Sequence, residues 1–144
     1  MSGRLQSPPF VDLLEFAIEQ ANDGIAIMRF TGNREVPVRI VYANAAVERL
    51  SGFTRQELFQ PSNPFFRVQP QNRERYAALF EQVRRGESVL FEIELSGRDR
   101  STQCEIRWTP LQLVTGSVTH YVAVIRDVGE RREARLRDEV EEGP

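Results

Sequence analysis

Few side chains in this sequence could do chemistry. The single cysteine, Cys104, could answer to redox state, since a thiolate is the nucleophilic form of that side chain. The single histidine, His120, could carry a proton near neutral pH. Glu92 and Glu94 stand two residues apart, which on a strand puts both carboxylates on one face, where they could work as a pair. Each also has a plainer reading. Cys104 lies among alternating apolar residues and reads as a small core side chain. The two glutamates read as a solvated strand face pairing with Arg107 across a hairpin. His120 opens a strand and alternates onto the face of Val122 and Val124, as a structural or interface residue. No nucleophile–base pair, phosphate-binding loop or metal-ligand spacing can be assembled. Enzymatic activity is therefore not expected.

The elements that must hold these residues follow from periodicity and punctuation. Val38-Arg39-Ile40-Val41-Tyr42 is a β-branched and aromatic run that suits a strand. It feeds directly into a short helix that Asn44 can cap and Gly52 can end. Ahead of it, residues 7–21 predict a helix with Ser7 as cap and Pro8 in the first turn. Its stripe of Val11, Leu14, Ile18 and Ala21 should pack on the body of the domain or meet a second copy. Asn22-Asp23-Gly24 turns the chain into a strand over 24–30, and a polar loop follows to Pro37. Thr54 and Glu57 form a capping box for another helical turn.

Residues 59–69, with two prolines and Phe59, Phe65, Phe66 and Val68, predict a loop folded over a core. A helix over 70–85 carries Tyr76, Leu79, Phe80 and Val83 at helical spacing and stops at Gly86. Three strands close the chain, at 88–95, 102–113 and 118–127. The first buries Val89, Phe91, Ile93 and Leu95, the second Cys104, Ile106 and Trp108. The third is apolar on both faces, so helices must cover one side and the opening helix or a partner the other. The charged stretch 129–144 predicts a solvated or coiled-coil linker helix. The class is α+β: a five-stranded antiparallel sheet with helices on one face, flanked by a helix at each end. Residues 1–22 form the cap helix, 23–128 the domain and 129–144 the linker.

Length and charge narrow the function. One domain of 144 residues is 40% hydrophobic, with a net charge of −2, so no global field attracts nucleic acid or a membrane surface. No apolar run reaches membrane-spanning length, and the N-terminus lacks the apolar core of a signal peptide. A lone cysteine excludes an internal disulfide, which suits a cytoplasmic protein. All 19 basic residues are arginine, which reads as genome composition bias.

The chain resembles a PAS domain in Asn22-Asp23-Gly24-Ile25, in IVYANAAVERLSGFTRQEL over 40–58, in Phe91-Glu92, and in HYVAVIRDVGERR over 120–132. The last is similar to the point where a PAS strand ends in Asp-Ile-Thr and runs into a signalling helix. Here it reads Asp127-Val128-Gly129, without the threonine hydroxyl. Within that family the 40–58 segment is most similar to the flavin-binding light-sensing branch, LOV. That branch implies a photo-adduct at a cysteine in a GxNCRFLQ-type motif. The matching SNPFFRVQ keeps Asn63 and Gln69 but has Pro64 at the cysteine position, so the usual adduct cannot form. The amides that branch uses at the flavin edge fall here on Ile93 or Glu94, Cys104 and Ile125. A buried polar edge without partners costs roughly 1–3 kcal/mol per group, so flavin is disfavoured. Haem is not indicated either, because residues 54–90 contain no histidine.

The resemblance implies a sensory or interaction module with a pocket between the inner sheet face and the Phe-rich loop. Its expected lining is Ile27, Asn63, Phe66, Gln69, Tyr76, Ile93, Cys104, Ile106, Tyr121, Ala123 and Ile125. That lining is apolar, so a ligand should be small and greasy. The expected dimer and signalling surface is Leu14, Ile18, Val118, Val122, Val124 and Asp127, with an effector reached through the C-terminal helix. Two rivals are a flavin photoreceptor or redox sensor without the cysteine, and a small enzyme on a cupped sheet with an inward carboxylate.

Overall fold

Residues 9–112 and 116–129 are described by the computed structural model. Helix α1 (Phe10–Gln20) precedes strand β1 (Gly24–Phe30). A polar loop leads to β2 (Val38–Ala43), which passes without a break into helix α2 (Ala45–Ser51). Asn44 caps α2 by accepting from the Val47 amide, and Gly52 ends it at φ 77°, a left-handed value that favours glycine. Helix α3 (Arg55–Leu58) carries the Thr54–Glu57 capping box. After the loop of residues 59–69, a 3-10 turn at Pro70–Asn72 opens α4 (Arg73–Arg84). Strands β3 (Val89–Ser96), β4 (Ser101–Leu111) and β5 (His120–Asp127) complete the chain.

The five strands form one antiparallel sheet in the order β2-β1-β5-β4-β3. The first and last strands are therefore central neighbours. A bulge between Ile27 and Met28 shifts the register of β1 against β2. Helices α2 and α4 and the 59–69 loop cover one face. On that face Phe80 stacks on Trp108, with ring centroids 5.0 Å apart and planes 2° from parallel. Phe91, Tyr121 and Tyr76 surround the same indole at 4.8, 4.9 and 5.6 Å. The β3–β4 hairpin is clamped to the end of α2, where the Arg98 amide donates to the Ser51 carbonyl at 2.8 Å. A Cβ at Gly97 would lie 2.8 Å from that same Ser51 oxygen, so this approach requires glycine.

Four boundaries depart from the sequence reading. Pro9, not Ser7, is the N-cap of α1, and it gives no side-chain bond. Ser7 and Pro8 lie outside the described residues. The 70–85 helix starts as a 3-10 turn at Pro70–Asn72 and becomes α-helical only from Arg73. β4 stops at Leu111, and β5 begins at His120 instead of Val118. Of the charged helix expected from Gly129 onward, only Gly129 is described, in helical conformation, and the rest lies outside the described residues.

The larger difference is α1. Its stripe was expected to pack on the domain or meet a second copy, and within this chain no residue of α1 is buried. Phe10, Val11 and Phe16 are 66–73% exposed, and Leu13 and Leu14 about half exposed. Only the last turn docks.

Candidate functional site

Two constructions stand out, a hydrogen-bonding hub at the end of β2 and a cleft along the same strand. The hub is Asn44, whose side chain is fully buried. Its Oδ1 accepts from the amides of Ile25 at 2.9 Å and Val47 at 3.3 Å. Its Nδ2 donates to the carbonyls of Ile18 at 2.8 Å and Asp23 at 3.1 Å. One amide thus satisfies groups from α1, the turn after it, β1 and α2. Beside it, Tyr42 and Arg55 both donate to Glu19 of α1, and Arg55 also meets Glu48 at 3.1 Å. Partial burial works against the Glu19 charge, yet the bonds from Tyr42 and Arg55 hold its carboxyl below the usual range. Burial and the neighbouring Glu19 push the Tyr42 hydroxyl up to about 12. The last turn of α1 is therefore tied to β2 by ionic and neutral bonds together.

The cleft has a volume of about 950 Å³, within the range of ligand pockets. It runs between β2 with the loop before it and the 59–69 loop with α4. Its floor is apolar, from Met28, Val38, Ile40, Leu58, Phe66 and Tyr76 among others. Its rim carries Arg34 and Arg39 on one wall and Arg67, Arg73 and Arg84 on the other, against Glu35 and Glu81. Glu81 is already paired with Arg85 at 3.4 Å. Among the described residues, Arg34, Arg39, Arg67 and Arg73 have no ion-pair partner, while Arg84 lies over the Phe30 ring at 4.4 Å. A chain of net charge −2 thus concentrates positive charge around one cleft.

At its inner end the cleft narrows to a void of about 30 Å³, room for roughly one water, walled by Trp108, Tyr121 and Ile106 among others. At the strand positions that the LOV resemblance places against a flavin edge, the donor set does not match that group. The strand positions expected to face the ring edge are Ile93, Cys104 and Ile125, all buried and none carrying an amide side chain. Glu94, the alternative to Ile93, is exposed on the outer face.

The expected pocket residues are only partly brought together. Asn63, Phe66 and Tyr76 line the cleft, and Ile106, Tyr121, Ala123 and Ile125 wall its inner void. Ile93 and Cys104 pair across β3 and β4 in packed core and line neither space. Burial pushes the Cys104 thiol up to about 12, with Asp127 adding to the shift, so it is not poised to react. Gln69 stands beside the cleft without lining it; its carbonyl accepts from the Asn72 amide at 2.9 Å. Ile27 stands on the opposite sheet face, paired with Tyr42 and Val122, and Met28 takes the inward position. Gly24 to Met28 are all apolar, and the one signal for the face is the exposed Arg29, which shares the side of Ile27. Met28, Val38, Ile40 and the five rim arginines were missed. They come from separate loops and edges, and no local period joins them.

Of the expected interaction surface, Val122 and Val124 are half-buried on the outer sheet face. Leu14 is exposed, and Ile18 is half-buried with its carbonyl held by Asn44. Val118 instead packs against the core, because the chain has not yet entered β5 there. Asp127 lies 3.7 Å from Arg100. Glu92 and Glu94 are both exposed, so neither supplies the inward carboxylate an enzyme of this shape needs. Arg107 faces Leu90 across the hairpin, while Glu92 faces Glu105. Among the described residues, no group of His, Cys, Asp and Glu could hold a metal ion, and no helix is long and apolar enough to cross a membrane.

The family described as PAS fold matches residues 12–128. Among solved structures, an RNA-binding light-oxygen-voltage receptor is similar over 99% of this chain, at 24% identity and a TM-score of 0.71. The chain spans 42% of that receptor's length. A PAS domain from Colwellia psychrerythraea is similar at 19% identity and a TM-score of 0.66, over 81% of this chain and 95% of that one. A LOV protein of Rhodobacter sphaeroides is similar at 11% identity and a TM-score of 0.66, over 83% of this chain and 67% of that one. No curated protein matches the chain in sequence.

Proposed function

Because the chain belongs to the PAS family, a family of signal-sensing modules, we propose that it is a non-enzymatic sensor. It works as a homodimer in the cytoplasm, takes a ligand in the cleft, and relays occupancy to a partner or effector through the chain beyond residue 128. One observation carries this reading. Val38, Arg39 and Ile40 line the cleft, while Tyr42 and Asn44, at the other end of the same strand and just after it, hold α1. An occupant that favours one position of β2 therefore favours one placement of α1, the differential contact that signalling requires. The Asp23–Arg126 ion pair, 2.8 Å, joins the entry of β1 to the exit of β5, so the same shift is passed toward Asp127.

The second copy meets the surfaces the fold leaves uncovered. These are the exposed Phe10, Val11 and Phe16 of α1 and the half-buried Val122 and Val124 on the outer sheet face. Phe16→Glu and Val122→Glu are each expected to convert a dimer to a monomer in light scattering at tens of micromolar. A wild-type monomer at that concentration, or variants that stay dimeric, would remove this part of the reading. The module acts without flavin. Protein purified with excess flavin is expected to be colourless, and a bound yellow chromophore would restore the photoreceptor reading.

A further inference from the structure

We propose that the cleft binds an amphipathic oxyanion, an aliphatic body carrying one carboxylate or phosphate head. This rests on the sensory reading above and names its ligand class. The floor contributes Met28, Val38, Ile40 and Leu58, irregular aliphatic surface that suits a flexible chain better than a rigid plane. The rim contributes cations and almost no counter-charge. Arg34, Arg39, Arg67 and Arg73 are exposed and have no ion-pair partner among the described residues. Guanidinium forks match carboxylate and phosphate oxygens and bind them with charge-assisted hydrogen bonds. A neutral greasy ligand would use the floor and leave this concentration of positive charge unanswered.

The placement of the arginines also bears on signalling. Arg39 is on β2, whereas Arg67 precedes α4 and Arg73 opens it. An anionic head between them contacts both walls at once, and only when the walls stand at one separation. The ligand thereby selects a position of β2 relative to α4, and β2 is the strand that carries the hub for α1. The aliphatic body alone would touch the floor in either position.

Calorimetric titration of the full chain with dodecanoate, dodecyl phosphate and dodecanol, each below its micellar concentration, tests this. One or both anions should bind about tenfold more tightly than the alcohol, the increment expected of a charge-assisted hydrogen bond. Which head is tighter identifies the source. Half-molar salt should reduce that advantage, because rim charges are screened. Arg67→Ala with Arg73→Ala should abolish that advantage, so that the anions bind no more tightly than the alcohol. Arg39→Ala tests the opposite wall should the double variant not fold. Equal binding of alcohol and anions overturns the anionic class and leaves the cleft as the sensing site. Binding of none of the three overturns the cleft as a ligand site, and the sensory reading loses its input.

Discussion

Trp108→Ala is expected to destabilise the domain by about 3–5 kcal/mol, the usual cost of truncating a large buried aromatic. The indole is 5% exposed and contacts four aromatic rings. It joins α4, through Phe80 and Tyr76, to β3 and β5, through Phe91 and Tyr121. Its loss leaves a cavity bounded by rigid rings on three elements, a wall that collapses poorly. Against a typical domain stability of roughly 5–15 kcal/mol, that is a large share. Trp108→Phe keeps one ring in the stack and should lose less, and Leu90→Ala, on the exposed outer face, should change little. Chemical denaturation followed by circular dichroism measures all three, since the first two variants remove the only tryptophan. A Trp108→Ala loss below about 1 kcal/mol would show that the core does not centre on this ring.

Asn44→Ala should cost about 2–4 kcal/mol, combining a lost helix cap with buried backbone groups left unpaired. Four hydrogen bonds end on this side chain. Asn44→Ser separates the two contributions. Serine caps helices nearly as well as asparagine, so α2 should keep its start. Its hydroxyl is too short to reach the Ile18 and Asp23 carbonyls as well. The serine variant should therefore recover about 1 kcal/mol and still show faster amide exchange in α1. Wild-type stability in the serine variant would mean that the bonds to α1 and the turn contribute nothing. A loss confined to α2 in both variants would detach the hub from the relay proposed for it.

Local signals in the sequence were strong where one residue type answers one backbone need. Asn44 at a cap, Gly52 at a left-handed stop and the Thr54–Glu57 box each did so. The alternation Val89, Phe91, Ile93, Leu95 was equally plain, because one face of β3 meets the core and the other meets water. Reading failed where both faces are apolar. In β1 the inward choice between Ile27 and Met28 depends on pairing with β5 and on the bulge opposite β2. For α1, the width of the apolar face predicted packing, but the structure anchors the helix through Ile18 and Glu19 and leaves its first two turns bare. The cleft was least legible. Its walls are two separate stretches, residues 28–40 and 58–84, and its arginines are scattered among fourteen others.

The central pairing of β1 with β5 bears on how the domain is made. Asp23 and Arg126, which seal that seam, are 103 residues apart. Until β5 has been synthesised, β1 can pair only with β2, and a two-stranded ribbon is marginal in water. The β3–β4 hairpin can form early from neighbouring residues, yet β5 must join it to the first ribbon across nearly the whole domain. Closing so long a loop is entropically costly and gives a high contact order, hence slow folding. While the chain is still emerging, the apolar edge of β1 waits exposed for its partner. The last strand is thus both the centre of the finished sheet and the step that commits it.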